Sequence, residues 1–135
     1  MQLTDDMRDT LIQSALQARQ YAYVPYSGYK VGAALLSTSG VIYDGVNIEN
    51  ASYSPTVCAE RVAFFKAVSE GERHFEAIAV ATENGGSPCG VCRQVMAEVS
   101  LDMWVICVNE KGEVAFECTA RELLPHAFSP ADLAE

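Results

Sequence analysis

Residues 75–108 read FEAIAVATENGGSPCGVCRQVMAEVSLDMWVICV. The run at 75–81 is apolar enough for a strand buried in a sheet. The run at 103–108 is a second such strand. Between them, 83–88 (ENGGSP) has the chemistry of a loop, and 89–99 that of a helix. Strand, helix and strand in this order predict parallel strands joined by a right-handed crossover.

Working outward toward the N-terminus, residues 57–69 predict a helix that Thr56 can cap and Gly71 can terminate. Before it, strands at 29–36 and 41–48 flank Ser37-Thr38-Ser39-Gly40, which reads as a hairpin turn. A first helix over 4–22 opens on Thr4 with Asp5 and Asp6 in its first turn, and Pro25-Tyr26-Ser27-Gly28 breaks the chain after it. Toward the C-terminus, Glu110-Lys111-Gly112 turns into a fifth strand at 113–118. Thr119 and Glu122 form a capping-box pattern for a short helix ending near Pro125, and another short helical segment begins at Ser129. The order α-β-β-α-β-α-β-β-α predicts an α/β protein, a three-layer α-β-α sandwich around a five-stranded mixed sheet. No repeat or linker interrupts the 135 residues, which are expected to form one domain.

Composition narrows the function. Half the residues are apolar and 20% are charged, as in an ordinary globular protein. Eighteen acidic residues against nine basic ones give a net charge of −9. A nucleic-acid partner needs Lys and Arg to neutralise phosphates, so none is expected. No apolar run reaches the ~20 residues of a membrane span, and the first residues, MQLTDDMRDT, lack the pattern of a secretory signal. The expected location is the cytoplasm, with no membrane partner. Five cysteines, Cys58, Cys89, Cys92, Cys107 and Cys118, are an odd number for a disulfide framework. Metal binding or catalysis suits some of them better, while Cys107 and Cys118 lie in apolar strands and read as core.

Two segments carry the chemistry. Cys58-Ala59-Glu60-Arg61 and Pro88-Cys89-Gly90-Val91-Cys92 each follow a loop and open a helix. Helices crossing one sheet can bring their N-termini together at one edge. There the free backbone N–H groups and the macrodipole favour thiolates. Three thiolates suit zinc, and three protein ligands leave a fourth position open, as in catalytic rather than structural sites. Glu60, two residues after Cys58, is placed to move protons to and from water at such a site. Three thiolates with Zn²⁺ leave about −1 of charge, so a nearby cation is needed, and Arg61 is the expected donor to a thiolate. Arg93 adjoins Cys92.

The C-A-E and P-C-x-x-C pair resembles the cytidine deaminase superfamily, in its small branch with cysteine ligands only. The likeness extends through PYSGYKVGAALL, GVNIENASYSPTVCAERVAFFKAVSEG, SPCGVCRQV and ELLPHAFSPADL, from about residue 23 to 133. It implies a cytidine deaminase-like fold and one Zn²⁺ per chain, held by Cys58, Cys89 and Cys92. It implies deamination of cytidine and 2′-deoxycytidine, with Glu60 as the proton carrier. The nucleoside would meet Asn47 and Glu49 at the ribose, the backbone at Ala51 and Ala59, and Tyr53. Tyr29 and Phe128 would hold the base, with Phe128 reaching in from an adjacent subunit of a homotetramer that shares its active sites. Tyr29 stands where the family usually has Phe, so its hydroxyl needs a partner if buried.

Other readings remain at this point. One is a zinc deaminase of a different aminopyrimidine, and another is a nucleic-acid editing deaminase, which needs positive charge for a strand. A zinc-stabilised binding domain would need a fourth protein ligand. A redox Cys89/Cys92 pair would leave Cys58-Ala59-Glu60 unexplained.

Overall fold

The structure is a computed structural model and describes residues 3–134. Helix α1 spans Asp5–Arg19, followed by strands β1 (Gly32–Ser37) and β2 (Ile42–Val46). Then come α2 (Ala59–Ser69), β3 (Phe75–Ala81), α3 (Gly90–Val99), β4 (Trp104–Val108) and β5 (Val114–Thr119). Two single-turn helices, α4 (Ala120–Leu123) and α5 (Pro130–Leu133), follow.

The five strands form one mixed sheet in the order β2-β1-β3-β4-β5. β3 and β4 are parallel, as the strand-helix-strand pattern predicts, with Ala79 opposite Ile106. β1 is antiparallel to both β2 and β3. Strands β2, β3 and β4 therefore run the same way, yet β1 separates the first two. The short hairpin forces this, because four residues between β1 and β2 leave them no choice but to pair as neighbours. Gly40, with φ +91°, makes the left-handed step of that turn.

Side-chain alternation divides the core into two layers. Leu35, Ile78, Val80, Val105 and Cys107 face Phe64 of α2 and Met96 of α3. Ala34, Leu36, Ala77, Ala79, Ile106 and Val108 face Leu11, Ile12 and Ala15 of α1. Successive residues of β1, β3 and β4 thus go to opposite layers, which is why these strands read as unbroken apolar runs. The architecture is the expected three-layer sandwich. Alanines on the α1 side of β3 let that helix lie close. At Gly32 a Cβ would stand 2.2 Å from the Ala15 carbonyl oxygen, so only glycine admits this approach.

Several boundaries differ from expectation for local reasons. α1 stops at Arg19 rather than residue 22, because the Tyr23 N–H donates to the Asn47 carbonyl and draws the chain toward β2. β1 begins at Gly32 rather than residue 29. Over 29–31 the side chain of Asn47 replaces the ladder, donating to the Tyr29 carbonyl at 2.8 Å and accepting from the Val31 N–H at 2.9 Å. Thr56 does not cap α2; its hydroxyl accepts from the Asn50 N–H at 3.0 Å, and the helix starts later with Cys58 at the N-cap. The Thr119/Glu122 capping box is present. Trp104 packs against the α1 layer and donates its indole N–H to Glu117, which also pairs with Arg8.

Candidate active site

Sheet register decides where the site forms. Gly32 of β1 is opposite Val46, the end of β2, and also opposite Ala81, the end of β3. The two strand ends are therefore level, and the helices that follow them open at the same edge of the sheet. Cys58 is the N-cap residue of α2 and Cys89 that of α3, while Cys92 lies in the first turn of α3.

This brings the three sulfurs together. All lie within 4.8 Å of one another, with Cys58 Sγ and Cys89 Sγ 3.6 Å apart. Tetrahedral bonds of ~2.3 Å to zinc would put sulfurs about 3.8 Å apart, so the spacing fits that ion. Among the described residues, no further His, Cys, Asp or Glu joins this cluster. A closed structural site with four protein ligands is thus not what these side chains form.

Charge at the cluster is arranged for thiolates. Arg61 Nη2 donates to Cys58 Sγ at 3.5 Å, as expected of the cation beside the motif. Among the described residues Arg61 Nε is buried without a hydrogen-bond partner, and the guanidinium turns its Nη2 to a sulfur. Hydrogen bonding from Cys92, and then from Arg61, brings the Cys58 thiol down to about 5. The same Cys92–Cys58 contact, with burial, pushes Cys92 up. A divalent cation among the sulfurs would remove that penalty. Cys89 Sγ accepts from the Cys92 N–H at 3.4 Å, so α3 is capped by a metal-site sulfur.

Glu60, in the first turn of α2, is 4% exposed. Burial pushes its carboxyl up to about 7. It borders a cavity of about 300 Å³ together with Cys58, Cys89, Tyr29, Asn47 and Glu49. That volume is at the small end of the range for ligand sites. A neighbouring cavity of about 380 Å³ shares Ser27 and Glu49 with it and adds Tyr26 and Tyr53. No Lys or Arg is among the described residues bordering either cavity.

The other expected contacts are distributed unevenly. Glu49 Oε1 accepts from the N–H groups of Tyr26 and Ser27, and Oε2 from the Ser27 hydroxyl at 2.5 Å. The Ser27 hydroxyl, with the two N–H groups, holds the Glu49 carboxyl below the usual range. Tyr29 borders the cavity, and its hydroxyl finds its partner in Asn84. Tyr53 is exposed, has φ +63° and stands edge-on to Tyr26 at 6.3 Å, on the outer cavity. Ala51 and Phe128 are on the surface and border neither cavity, and Ala59 is fully buried at the start of α2. Cys107 lies in the core, where burial pushes its thiol up to about 12.

Sequence reasoning missed part of the cavity wall, Thr82, Gly86 and Ser87. Thr82 and Gly86 carried no signal beyond lying between the third strand and Cys89, while Ser87 was marked only as the first residue of SPCGVCRQV. It also passed over Arg93 as a clamp. Its guanidinium donates to the Ser87 hydroxyl, to the Pro88 carbonyl at 2.8 Å and to the Leu123 carbonyl at 2.8 Å. The adjacency to Cys92 was the available signal.

Comparison with known proteins agrees with this geometry. The family model described as the cytidine and deoxycytidylate deaminase zinc-binding region matches residues 6–108. A cytidine deaminase of Sporosarcina psychrophila is 55% identical over 128 residues, covering 93% of each chain. One from Halalkalibacterium halodurans is 54% identical over 129 residues, covering 93% of this chain and 97% of its own. The crystal structure of cytidine deaminase from Burkholderia pseudomallei superposes with a TM-score of 0.86 at 45% identity. It covers 93% of this chain and all of that one (100%). With the zinc-binding region matched across both cysteine segments, and sequence and fold shared over nearly its full length, the chain belongs to the cytidine deaminase family.

Proposed function

We propose that this protein catalyses the zinc-dependent hydrolytic deamination of cytidine and 2′-deoxycytidine in pyrimidine salvage. The products are uridine or 2′-deoxyuridine and ammonia. The observation that carries this reading is the buried Glu60 carboxyl bordering the same cavity as two sulfurs of the three-cysteine cluster. Cys58, Cys89 and Cys92 hold the ion, and Arg61 offsets the charge of the thiolates. Zinc at this cluster supplies a Lewis acid that makes water a nucleophile near neutral pH.

The residues then do the following. Glu60 accepts a proton from the attacking water, whose oxygen bonds to C4 of the pyrimidine. It delivers that proton to N3. The proton left on the oxygen at C4 passes through Glu60 to the amino group, the C4–N bond breaks as the C4 carbonyl forms, and ammonia leaves. This order of steps is that of zinc deaminases in general. Burial favours the protonated form of Glu60 more than water would, which suits a group that takes a proton and then gives it up.

Ribose recognition falls to Asn47 and Glu49. Asn47 uses one of its two amide N–H groups and one oxygen lone pair on the backbone, which leaves one donor and one acceptor. Glu49 accepts three hydrogen bonds, and a carboxylate has room for about four. A sugar hydroxyl fits what remains. Tyr53, on the outer cavity, adds a contact to the nucleoside, and the family likeness adds the backbone at Ala51 and Ala59. The Tyr29 ring packs on the base, and Phe128 closes over it from an adjacent subunit of a homotetramer. Among the described residues no Lys or Arg borders the cavities, and this, with the charge of Glu49, favours a nucleoside over its 5′-phosphate. None of the five cysteines is joined in a disulfide, and the proposed place of work is the cytoplasm. Among the described residues, no helix is long and apolar enough to cross a membrane.

Incubation with cytidine, 2′-deoxycytidine, cytosine, CMP and a short single-stranded oligonucleotide tests this. Ammonia release and the ultraviolet change should track the two nucleosides, with about one zinc per chain by metal analysis. Turnover of the oligonucleotide without the nucleosides would overturn the proposal.

A further inference from the structure

We propose that Tyr29 and Asn84 form a positioning pair for the substrate pocket. The Tyr29 hydroxyl, bonded to Asn84, holds the wall made by residues 82–88 against the segment leading into β1. This inference rests on reading the cavity at Glu60 as the site of the nucleoside.

The pair joins residues 55 positions apart in the chain. Tyr29 Oη donates to Asn84 Oδ1 at 2.6 Å. The same oxygen lies 3.4 Å from Thr82 Oγ1, and Thr82 Oγ1 accepts from the Gly86 N–H at 2.7 Å. Thr82 is 3% exposed, so its hydroxyl has few other partners to turn to. Tyr29, Thr82 and Gly86 all border the cavity, whereas Asn84 does not. Asn84 therefore acts through its neighbours, as a positioning residue rather than a contact.

Gly86 supplies an independent mark of the same device. A Cβ there would stand 2.8 Å from the Tyr29 hydroxyl and 3.5 Å from Asn84 Oδ1. The hydroxyl occupies the room that a side chain at position 86 would need. Beyond Gly86, Ser87 and Pro88 are gripped by Arg93, and the next residue is Cys89. The wall is thus fixed at both ends, by Tyr29 and Asn84 at one and by the metal-site helix at the other. A wall held in place lowers the ordering cost of binding a flat base.

The test uses the zinc-loaded full chain, with KM and kcat for cytidine, zinc content and Tm measured together. Asn84→Ala should raise KM about threefold to tenfold, the scale of one hydrogen bond, with much less effect on kcat and zinc at the parent level. Asn84→Asp keeps an acceptor for the Tyr29 hydroxyl and should restore KM to near the parent value. Tyr29→Phe should raise KM as well, and adding Asn84→Ala to it should change nothing further. Gly86→Ala should raise KM in the parent, and Tyr29→Phe in the same chain should remove that added defect. A parental KM in Asn84→Ala, or effects of the two single variants that multiply in the double, would overturn the pair. If Asn84→Ala does not fold, Tyr29→Phe and Gly86→Ala decide the matter in the same way. A zinc-loaded parent that leaves cytidine untouched would instead overturn the functional reading beneath it.

Discussion

Glu60 and Arg61 are consecutive in sequence and serve opposite electrostatic ends. Burial raises the proton affinity of Glu60, while Arg61 places positive charge on the Cys58 sulfur. Helix geometry separates them, since neighbouring residues on a helix point about 100° apart. One faces the cavity and the other meets the sulfur one turn back. Glu60→Gln keeps the shape but removes the proton carrier. It should retain zinc and lower kcat by about 10²–10⁴-fold, read by steady-state turnover alongside metal analysis. Turnover near that of the parent would take Glu60 out of its assigned role. The burial of Glu60 and the contact of Arg61 with Cys58 lie where the residue types and spacing pointed. Asn84 was not legible, because its partner is far away in the chain and its neighbours read as plain loop.

At the scale of elements, the site depends on how closely α2 approaches the sheet. The helix lies on β2 at Gly45, where a Cβ would stand 2.3 Å from the Ala59 carbonyl oxygen and 2.7 Å from the Ala63 nitrogen. Backbone atoms cannot turn aside as a side chain does. Gly45→Ala should therefore lift the first turn of α2, which carries Cys58 and Glu60, at a cost of about 1–3 kcal/mol. Thermal denaturation should show a lower Tm, and metal analysis a lower zinc content. An unchanged Tm with full zinc would mean that the helix has slack the packing does not show. The N-caps of α2 and α3 bear on the same point. Both positions hold cysteines where Ser, Thr, Asp or Asn is usual. That is why Thr56 was the natural expectation for the cap of α2. Chemistry rather than helix stability selects the residue at these two ends.

For the molecule as a whole, the two-layer core packs the sheet between α1 on one face and α2 and α3 on the other, and leaves the ends of β2 and β3 to the site. Phe64 fills the layer opposite α1, edge-on to Phe75 with ring centroids 5.5 Å apart. The surface is less settled within one chain. Phe128 is 60% exposed, and its carbonyl is tied to Gln94 of α3 at 2.8 Å. In the proposed homotetramer, this exposed aromatic would reach the base pocket of an adjacent subunit. Phe128→Ala should raise KM for cytidine in a protein that still assembles, measured by kinetics together with sedimentation or light scattering. Unchanged KM in the assembled protein would remove Phe128 from the base pocket.

The amino-acid sequence by itself determined the elements, the division of apolar strands from capped helices, and the three cysteines with their carboxylate. These are local properties, carried by periodicity, turn residues and short spacings. Tertiary structure decided the rest. Only pairing registers reveal that β2 and β3 end level across β1, which lets Cys58 and Cys89 meet. Only packing shows Asn47 standing in for a strand, or the Tyr29 hydroxyl reaching Asn84. Such contacts join residues that no short window contains, and the free energy that selects among them comes from burying the whole sheet at once.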